Sequence, residues 1–558
     1  MVRLLAALLM LSLLAPPIAW AAKPIGLPPS PPRNDFLLSD PLVVRVQQAL
    51  ADEGLYKGPI NGLMGAPTAR AIRAYQRRSG LKEDGAVSEE LAQHIETAFQ
   101  IRNLLQRLEK ARSTNIENAR KSLLDNPATR HLLDALPDGA EIADPTRDTT
   151  ACFSAPTPAC LLGEAAESTK AVSRDELRFW ALGEVLVAQA KAGLAEAATE
   201  TLRRIGDPRL VMRSLRDIAI ARAAAGRIDE ALEAAAIIPD PLRRAEALTA
   251  IANESKDRGP LSLVHASLES ISDQDRRIAL MTRLAVTQAL QGAVGDADHI
   301  LQRAEKMARR PENKDILQPS LRRIAAALAD MGHPERALSL LDEMTDSSER
   351  TAVLIAAAMA QARKGQTDAA LITAETIVAE RYRPSVLAQI ALSQAKAGAL
   401  TSARATLDRA LSEVDAIEFP YAKAYAASRA VLAMIEMLAT TKAYDVVTVL
   451  ETMERIEDPR LKAEALWALS GVLADHHEAD ALPDVRLRAE QTSETIRSRL
   501  SRVWMFAELT SSRMLKGDVP AAHRSFRKGL SVAADMGNAW GRARALAKLA
   551  SALVDLEK

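Results

Sequence analysis

A glycine that returns at a fixed interval constrains most of this chain. Four glycines follow one another at intervals of 33 residues, and after one interval of 40 two more intervals of 33 follow: Gly193, Gly226, Gly259, Gly292, Gly332, Gly365 and Gly398. A period of this length is typical of architectures in which one short unit is copied along the chain. We therefore predict an array of repeats over residues 161–558.

The residues around each glycine predict the structure of one unit. Large apolar residues stand eleven positions before the glycines: Leu182, Leu215, Leu248, Met281, Leu321, Leu354 and Leu387. Small residues stand seven positions before and five positions after most of them, as Ala219 and Ala231 do around Gly226. Offsets of three and four place these residues on one stripe of a helix on either side. Glycine supplies the left-handed turn between the helices, so each unit is predicted to be a helix–turn–helix hairpin.

Two segments show a family resemblance. Ala225–Leu232 (AGRIDEAL) and Met331–Leu338 (MGHPERAL) resemble the turn and second-helix start of tetratricopeptide repeats. The family's usual first-helix glycine is alanine here, and the Thr-Pro-Leu-His opening of ankyrin repeats is absent. The resemblance implies an all-α fold with a long α-solenoid of roughly nine or ten hairpins. Gly537–Leu556 is predicted to form a closing helix.

A solenoid of this kind presents a concave surface formed by the first helix of each unit, and such surfaces commonly hold peptides or protein partners. The residues predicted to face it are Arg213, Arg216, Asn253, Arg322, Met359 and Arg363. Arginines are suited to pairing with the carboxylates of a partner. The alternative for each of these residues is ordinary solvation.

The beginning of the chain predicts export. Residues 1–21 have the form of a secretory signal, with an apolar core at Leu4–Leu14 and a cleavage site at Ala19-Trp20-Ala21. The apolar run ends at Pro16-Pro17 and is too short to span a bilayer comfortably, so cleavage is favoured over a membrane anchor. No stable membrane insertion is expected after cleavage. Residues 22–39 are rich in proline and predict an extended linker.

Residues 40–97 predict a small three-helix bundle. From Val46 to Gly85 the chain reads V-Q-x-x-L, then G-L-Y-x-G-x-x-N-G-x-x-G-x-x-T-x-x-A-I-x-x-Y-Q-x-x-x-G-L-x-x-D-G. This run resembles the peptidoglycan-binding three-helix domain found beside many cell-wall hydrolases. Members of that family more often carry Asp at the position of Asn61 and Phe at that of Tyr75. Thr68 and Ser88 are predicted to cap the second and third helices.

The resemblance implies peptidoglycan as a partner and a bacterial periplasm as the location. Glycan strands and their stem peptides are polar and flexible, so a binder needs hydrogen-bonding side chains around a shallow groove. The candidates at the loop–helix junction are Tyr56, Asn61, Arg70 and Arg73. The alternative is that Tyr56 is a packing residue and the arginines are solvated surface; for Tyr75, packing is favoured.

Residues 98–136 predict connecting helices, and residues 137–160 predict a linker that carries both cysteines of the chain, Cys152 and Cys160. In an exported protein two nearby cysteines favour a disulfide. A C-x7-C spacing without histidine is no recognised zinc site, and no histidine is placed as a base for a catalytic thiol.

The sequence offers no catalytic constellation. It lacks G-x-S-x-G, H-E-x-x-H, a phosphate-binding glycine loop and a dinucleotide fingerprint, so no cofactor or metal is predicted. Lys plus Arg and Asp plus Glu both number 72, which argues against a nucleic-acid binder. We expect a non-enzymatic envelope protein that binds peptidoglycan and scaffolds unidentified protein partners. The alternatives are a hydrolase activator or unrecognised cell-wall enzyme, and a docking scaffold without glycan affinity.

Overall fold

A computed structural model describes residues 39–134, 142–255, 259–475 and 480–557. Within these ranges the chain forms 26 α-helices and no strand, which confirms the predicted all-α fold. The predicted signal at 1–21 and all but the last residue of the linker at 22–39 lie outside the described residues. The chain divides into two compact units, one up to Arg112 and one from Ser113 onward.

The first unit is a bundle of three helices, α1 (Pro41–Asp52), α2 (Ala66–Ser79) and the first part of α3 (Glu89–Asp125). Its core contains the following buried apolar side chains: Val46, Leu50, Ile72, Tyr75, Ala92 and Ile95. Ser88 caps α3 as predicted, with its hydroxyl accepting from the Leu91 N–H at 3.1 Å. The prediction for Thr68 was wrong, because α2 already begins after Gly65 and Thr68 lies within it.

Three short elements precede the repeats in the second unit: a 3₁₀ turn (Arg130–Leu133), α4 (Thr150–Ser154) and α5 (Pro158–Lys170). Ten hairpins follow: α6 and α7 (Asp175–Lys191, Ala195–Arg203), α8 and α9 (Pro208–Ala224, Ile228–Ala236), α10 and α11 (Pro241–Glu254, Gly259–Glu269), α12 and α13 (Gln274–Leu290, Val294–Ala308), α14 and α15 (Leu317–Asp330, Pro334–Ser339), α16 and α17 (Ser347–Arg363, Thr367–Glu375), α18 and α19 (Arg383–Lys396, Leu400–Asp415), α20 and α21 (Pro420–Thr441, Val446–Met453), α22 and α23 (Pro459–Asp475, Leu482–Thr495), and α24 and α25 (Arg499–Leu515, Val519–Ala534). Further 3₁₀ turns precede α14 and extend α15 (Pro311–Ile316, Leu340–Glu343), and the last helix is α26 (Ala539–Leu556).

Most of the repeating glycines form the turn inside a hairpin. Gly226 has φ +81°, its N–H bonds to the carbonyl of Ala223, and the Arg227 N–H bonds back to Arg222. This pair of bonds closes a helix in the Schellman arrangement, which requires a left-handed residue. Gly517 has the same conformation and extends the series. Gly259 was assigned wrongly, because α10 already ends at Glu254 and Gly259 is the first residue of α11.

An Asp-Pro pair begins the first helix of several hairpins. Asp207 accepts from the Arg209 N–H at 2.9 Å, and Pro208 is the first residue of α8. Asp458 likewise accepts from the Arg460 and Leu461 N–H groups before α22. Proline is tolerated at this position because its missing N–H would have no helical partner there. The pair therefore starts the next helix as well as separating it from the previous one.

The first helices of the hairpins form one continuous row. Each of them contacts the first helix before and after it, whereas consecutive second helices do not pack on one another to any extent. The row of first helices therefore lies on the inner side of the curve and the second helices on the outer side. The small residues predicted at the helix contacts are all fully buried: Ala219, Ala252, Ala285, Ala325, Ala358 and Ala391.

The row of first helices closes on itself. The last helix, α26, packs against α6 as though α6 were its successor, and α5 packs along α26 where the other first helices have their own second helix. Leu161 and Leu162 of α5 are buried in a core shared with α24, α25 and α26. Helices α5 to α26 thus form a closed ring of hairpins, called the ring below.

Polar contacts join the same two ends. The Lys191 ammonium of α6 lies 2.7 Å from Asp555 of α26 and donates to the Ser551 carbonyl. Arg544 of α26 binds both carboxylate oxygens of Glu184 at 2.9 and 3.0 Å. Its guanidinium lies between three indole rings at 4.4 to 4.8 Å from their centres: Trp180, Trp504 and Trp540. We call these interactions of Lys191 and Arg544, together with the three tryptophans, the closing contact.

The predicted disulfide between Cys152 and Cys160 is present and links α4 to α5. Phe153 of α4 lies under the guanidinium of Arg542 at 5.4 Å, so α4 also contacts α26. The disulfide therefore lies beside the closing contact.

Candidate functional sites

One buried glutamine shapes the loop between α1 and α2. Gln47 is completely buried, and its side-chain oxygen accepts from the N–H groups of Asn61 and Gly62, both at 3.0 Å. Its amide nitrogen donates to the Leu63 carbonyl and to the Thr68 hydroxyl, both at 3.1 Å. A buried amide that satisfies this many groups fixes the loop in one conformation.

A second glutamine does the same for the loop between α2 and α3. The side-chain oxygen of Gln76 accepts from the Gly85 N–H at 2.9 Å, and its amide donates to Asp84 at 2.8 Å. The two loops carry Asn-Gly and Asp-Gly pairs, and both glycines have positive φ, at +73° for Gly62 and +69° for Gly85. These hydrogen bonds explain why the sequence pattern contains a glutamine at both positions.

The four predicted ligand-binding residues have different surroundings. Tyr56 is buried, with 7% exposed, and its hydroxyl donates to the Pro59 carbonyl at 3.0 Å. Asn61 is exposed, but its side-chain oxygen accepts from the Leu63 N–H at 3.0 Å and so holds the turn. Arg70 and Arg73 are exposed on one face of α2. Neither guanidinium is paired with a carboxylate in the described part of the chain.

Arg73 lies across the second loop. A Cβ at Gly85 would stand 2.8 Å from the Arg73 Nε, so a side chain at that position would displace the guanidinium. Ile60 and Met64 flank Asn61 with more than two fifths of their surfaces exposed. Arg70 and Arg73 thus present two guanidiniums without an internal carboxylate, and Arg73 lies beside the second loop rather than the first. Unpaired guanidiniums suit a polar ligand that carries carboxylates.

A buried carboxylate that sequence reasoning missed joins the three helices. The Glu53 side chain is fully covered and forms ion pairs with Arg78 of α2 and Arg102 of α3. Burial alone would raise the pKa of Glu53, but the hydrogen bonds from Arg102 and Arg78 outweigh it and hold the pKa below its ordinary value. Tyr75, buried beside them, hydrogen-bonds to His94 at 2.8 Å.

Residues 39–95 match the family described as putative peptidoglycan binding domain. The N-terminal module is thus peptidoglycan-binding-like, as the sequence pattern predicted. No curated protein matches the chain significantly. Among solved structures, the crystal structure of Ton1535 from Thermococcus onnurineus NA1 is 16% identical, and the alignment covers 56% of this chain and 98% of that one at a TM-score of 0.27.

The predicted inner-face residues lie on the first helices of the ring, and most of the arginines are paired within the chain. Arg216 forms ion pairs with Asp217 and Glu246 at 2.6 and 2.7 Å, and Glu246 forms a second ion pair with Arg283 at 3.1 Å. Burial opposes ionisation of Glu246, yet the hydrogen bonds from Arg216 and Arg283 lower its pKa. A partner carboxylate would have to compete with these pairs.

The remaining inner-face residues follow the same trend. Arg213 lies 3.5 Å from Asp217, Arg363 lies 3.6 Å from Asp330, and Arg322 pairs with Glu349. Asn253 lines a cavity of about 980 Å³ together with Arg216 and Arg322. Met359 is half-buried on α16. The structure brings Arg216, Asn253 and Arg322 together, whereas Arg213 lines a different cavity.

Two features are absent from the described ranges. No helix there is both long and apolar enough to cross a bilayer. No group of three or more His, Cys, Asp or Glu side chains there is arranged to hold a metal ion.

Proposed function

We propose that this protein binds peptidoglycan through its N-terminal module and serves as a non-enzymatic envelope scaffold through its ring. The match of residues 39–95 to the peptidoglycan-binding family carries the first part. Arg70 and Arg73 support it, because two exposed guanidiniums without an internal carboxylate are free to pair with the carboxylates of the wall polymer.

The scaffold role follows from the architecture of the ring. Its inner row of first helices presents several cavities rather than one deep pocket. The cavity at Arg216, Asn253 and Arg322 is open and is lined by both charged and apolar side chains. Extended surfaces of stacked hairpins are suited to holding peptides or protein segments. Export to a periplasm would bring this surface and the wall polymer into one compartment.

Co-sedimentation of the full chain with purified wall sacculi tests the proposal. We expect Arg70→Ala/Arg73→Ala to weaken binding by about tenfold, since each lost charge-assisted contact is worth on the order of 1 kcal/mol. Asn61→Ala is less useful, because it would also remove the hydrogen bond that holds the loop.

Arg107→Ala/Lys110→Ala is the matched control, because it removes two exposed positive charges from α3 in the same unit. Equal losses in both double variants would mean that non-specific charge attraction holds the protein on the wall. A folded wild-type chain that stays in the supernatant would refute the wall-binding proposal.

A further inference from the structure

The row of first helices is least tightly packed between α22 and α24. A cavity of about 610 Å³ lies at this gap, lined by residues of α18 to α25. Trp467 of α22 forms part of its wall, with its ring edge-on to Phe506 of α24 at 6.5 Å and its N–H donating to the Ser493 hydroxyl of α23 at 3.1 Å. The cavity therefore has a rigid aromatic wall that reaches across two hairpins.

Four arginines line the same cavity without an ion pair in the described ranges, and three of them act on one another electrostatically: Arg486, Arg513 and Arg524. Arg513 lies over the Trp467 ring at 4.9 Å and donates to two neutral oxygens, the Ala521 carbonyl at 3.2 Å and the Ser525 hydroxyl. Arg486 and Arg524 complete the group. None of the three makes an ion pair with a residue in the described ranges.

This group differs from its surroundings. The neighbouring Lys528 is paired with Glu490, and most of the inner-face arginines are paired as well. Asp518 acts electrostatically on Arg513, but its carboxylate caps α25 by accepting from the Ala521 N–H at 3.1 Å. Burial lowers the pKa of Arg513, and the charges of Arg486 and Arg524 add to this effect. The folded chain thus holds like charges together, and Asp518 offsets part of their repulsion at Arg513 without an ion pair in the described ranges.

An arrangement of this kind selects a ligand by three properties. Guanidinium groups bind carboxylates in a two-point geometry, and they do so more strongly in a partly buried cavity than in water. The partly exposed apolar side chains of Leu432, Val472 and Leu509 also line the cavity and offer contact to aliphatic groups. Asp475 lines the cavity as well and can accept from an ammonium group. A short peptide with free carboxylates, methyl groups and an amine meets all three conditions, whereas inorganic phosphate meets only the first.

We propose that this cavity binds the carboxylate-bearing stem peptide of peptidoglycan, as a second wall-binding site apart from the N-terminal module. The inference rests on the proposed function for its choice of ligand. Its residues belong to the ring alone, so it can fail while wall binding by the N-terminal module stands.

Calorimetric titration of the full chain with soluble disaccharide–peptide fragments, released from sacculi by a muramidase, tests this site. We expect Arg486→Ala/Arg513→Ala to weaken binding at least tenfold. Arg486→Ala/Arg524→Ala, which leaves Arg513 on Trp467, should weaken it several-fold and guards against a folding defect. Arg203→Ala, which removes an exposed arginine from α7, should leave the affinity unchanged.

Two further titrations separate the ligand classes and the two sites. Glycan chains stripped of their peptides and inorganic phosphate should each bind at least tenfold more weakly than the intact fragments. Equal binding of either would overturn the assignment to a peptide. Fragment binding that survives Arg70→Ala/Arg73→Ala but falls in the cavity variants supports the proposal. Fragment binding that is lost only in Arg70→Ala/Arg73→Ala, or no fragment binding by a chain that still sediments with sacculi, would overturn it.

Discussion

At the scale of single residues, buried polar groups define the N-terminal module more than its small apolar core does. Gln47 and Gln76 each satisfy the backbone of one loop, and Glu53 joins α1 to α2 and α3 through two ion pairs. A bundle of about 60 residues buries little apolar surface and has a small net stability, so breaking any one of these buried contacts removes a large fraction of it. Each contact depends on one side chain, so a single substitution can remove it and test its contribution.

Glu53→Gln should destabilise the N-terminal module by about 1–3 kcal/mol, because it leaves two guanidiniums without their common partner. The pKa of Glu53 is lowered in the folded state, so its contribution is fully present above the ordinary glutamate pKa and is lost as the pH falls through the lowered value. Denaturant unfolding of the wild type and the variant at several pH values measures this contribution to the free energy of unfolding.

The gap in stability between wild type and Glu53→Gln should be largest near neutral pH and should shrink below about pH 4. The control is Glu83→Gln, which removes an exposed carboxylate paired with Arg77. It should leave the stability almost unchanged, because solvent screens an exposed pair. A gap that stays constant down to pH 2 would show that the charge of Glu53 contributes nothing to stability.

At the scale of the element, the hairpin depends on the conformation of its turn glycine. Gly226 has φ +81° and nothing within 4 Å of where a Cβ would stand. Gly183 also has open space around a Cβ, but it lies inside α6. The two positions differ in backbone conformation and not in steric room, which makes them a matched pair.

We expect Gly226→Ala to destabilise the protein by about 1–2 kcal/mol, since alanine is strained in the left-handed region. Gly183→Ala should instead stabilise it by about 0.5–1 kcal/mol, because alanine is the better helix former. Thermal unfolding of both variants shows whether each substitution raises or lowers the stability of the protein. Two changes of the same sign would contradict the assigned backbone conformations.

Sequence patterns predicted the hairpins well because the signals are local. The turn glycines and the buried alanines recur within one unit, so offsets of three, four and seven residues are enough to find them. The prediction that Gly259 forms a turn was wrong, because spacing alone does not show where α10 ends. The Glu53 ion pairs and the three arginines around Trp467 could not be predicted, since each joins residues from separate helices through side-chain geometry.

At the scale of the whole ring, stability depends on how its two ends meet. In an open solenoid each hairpin contacts only its neighbours, so the ends fray first. Here α26 is covered by α5 and α6, and Arg544 is almost fully buried between Glu184 and three tryptophans. Every first helix of the ring therefore has a neighbour on both sides.

Arg544→Ala should destabilise the ring by about 2–4 kcal/mol, because it removes a buried cation from its carboxylate and from the faces of three indole rings. Unfolding followed by tryptophan fluorescence reports the change, since three of the five tryptophans of the chain surround this residue. Arg455→Ala, which breaks a surface pair with Asp415, is the control and should cost less than about 1 kcal/mol. Equal effects would mean that the closing contact adds no more than an ordinary surface pair.

The closing contact also sets an order of events during synthesis. Glu184 and Arg544 are separated by 360 residues. At the usual 5–20 residues per second, roughly 20 to 70 seconds pass between the appearance of α6 and that of its partner. Over that time Leu161 and Leu162 of α5 lack the side chains of α24, α25 and α26 that share their core in the ring, which makes the nascent chain a target for chaperones. The last step of folding must therefore join the earliest part of the ring to the latest, however fast the individual hairpins form.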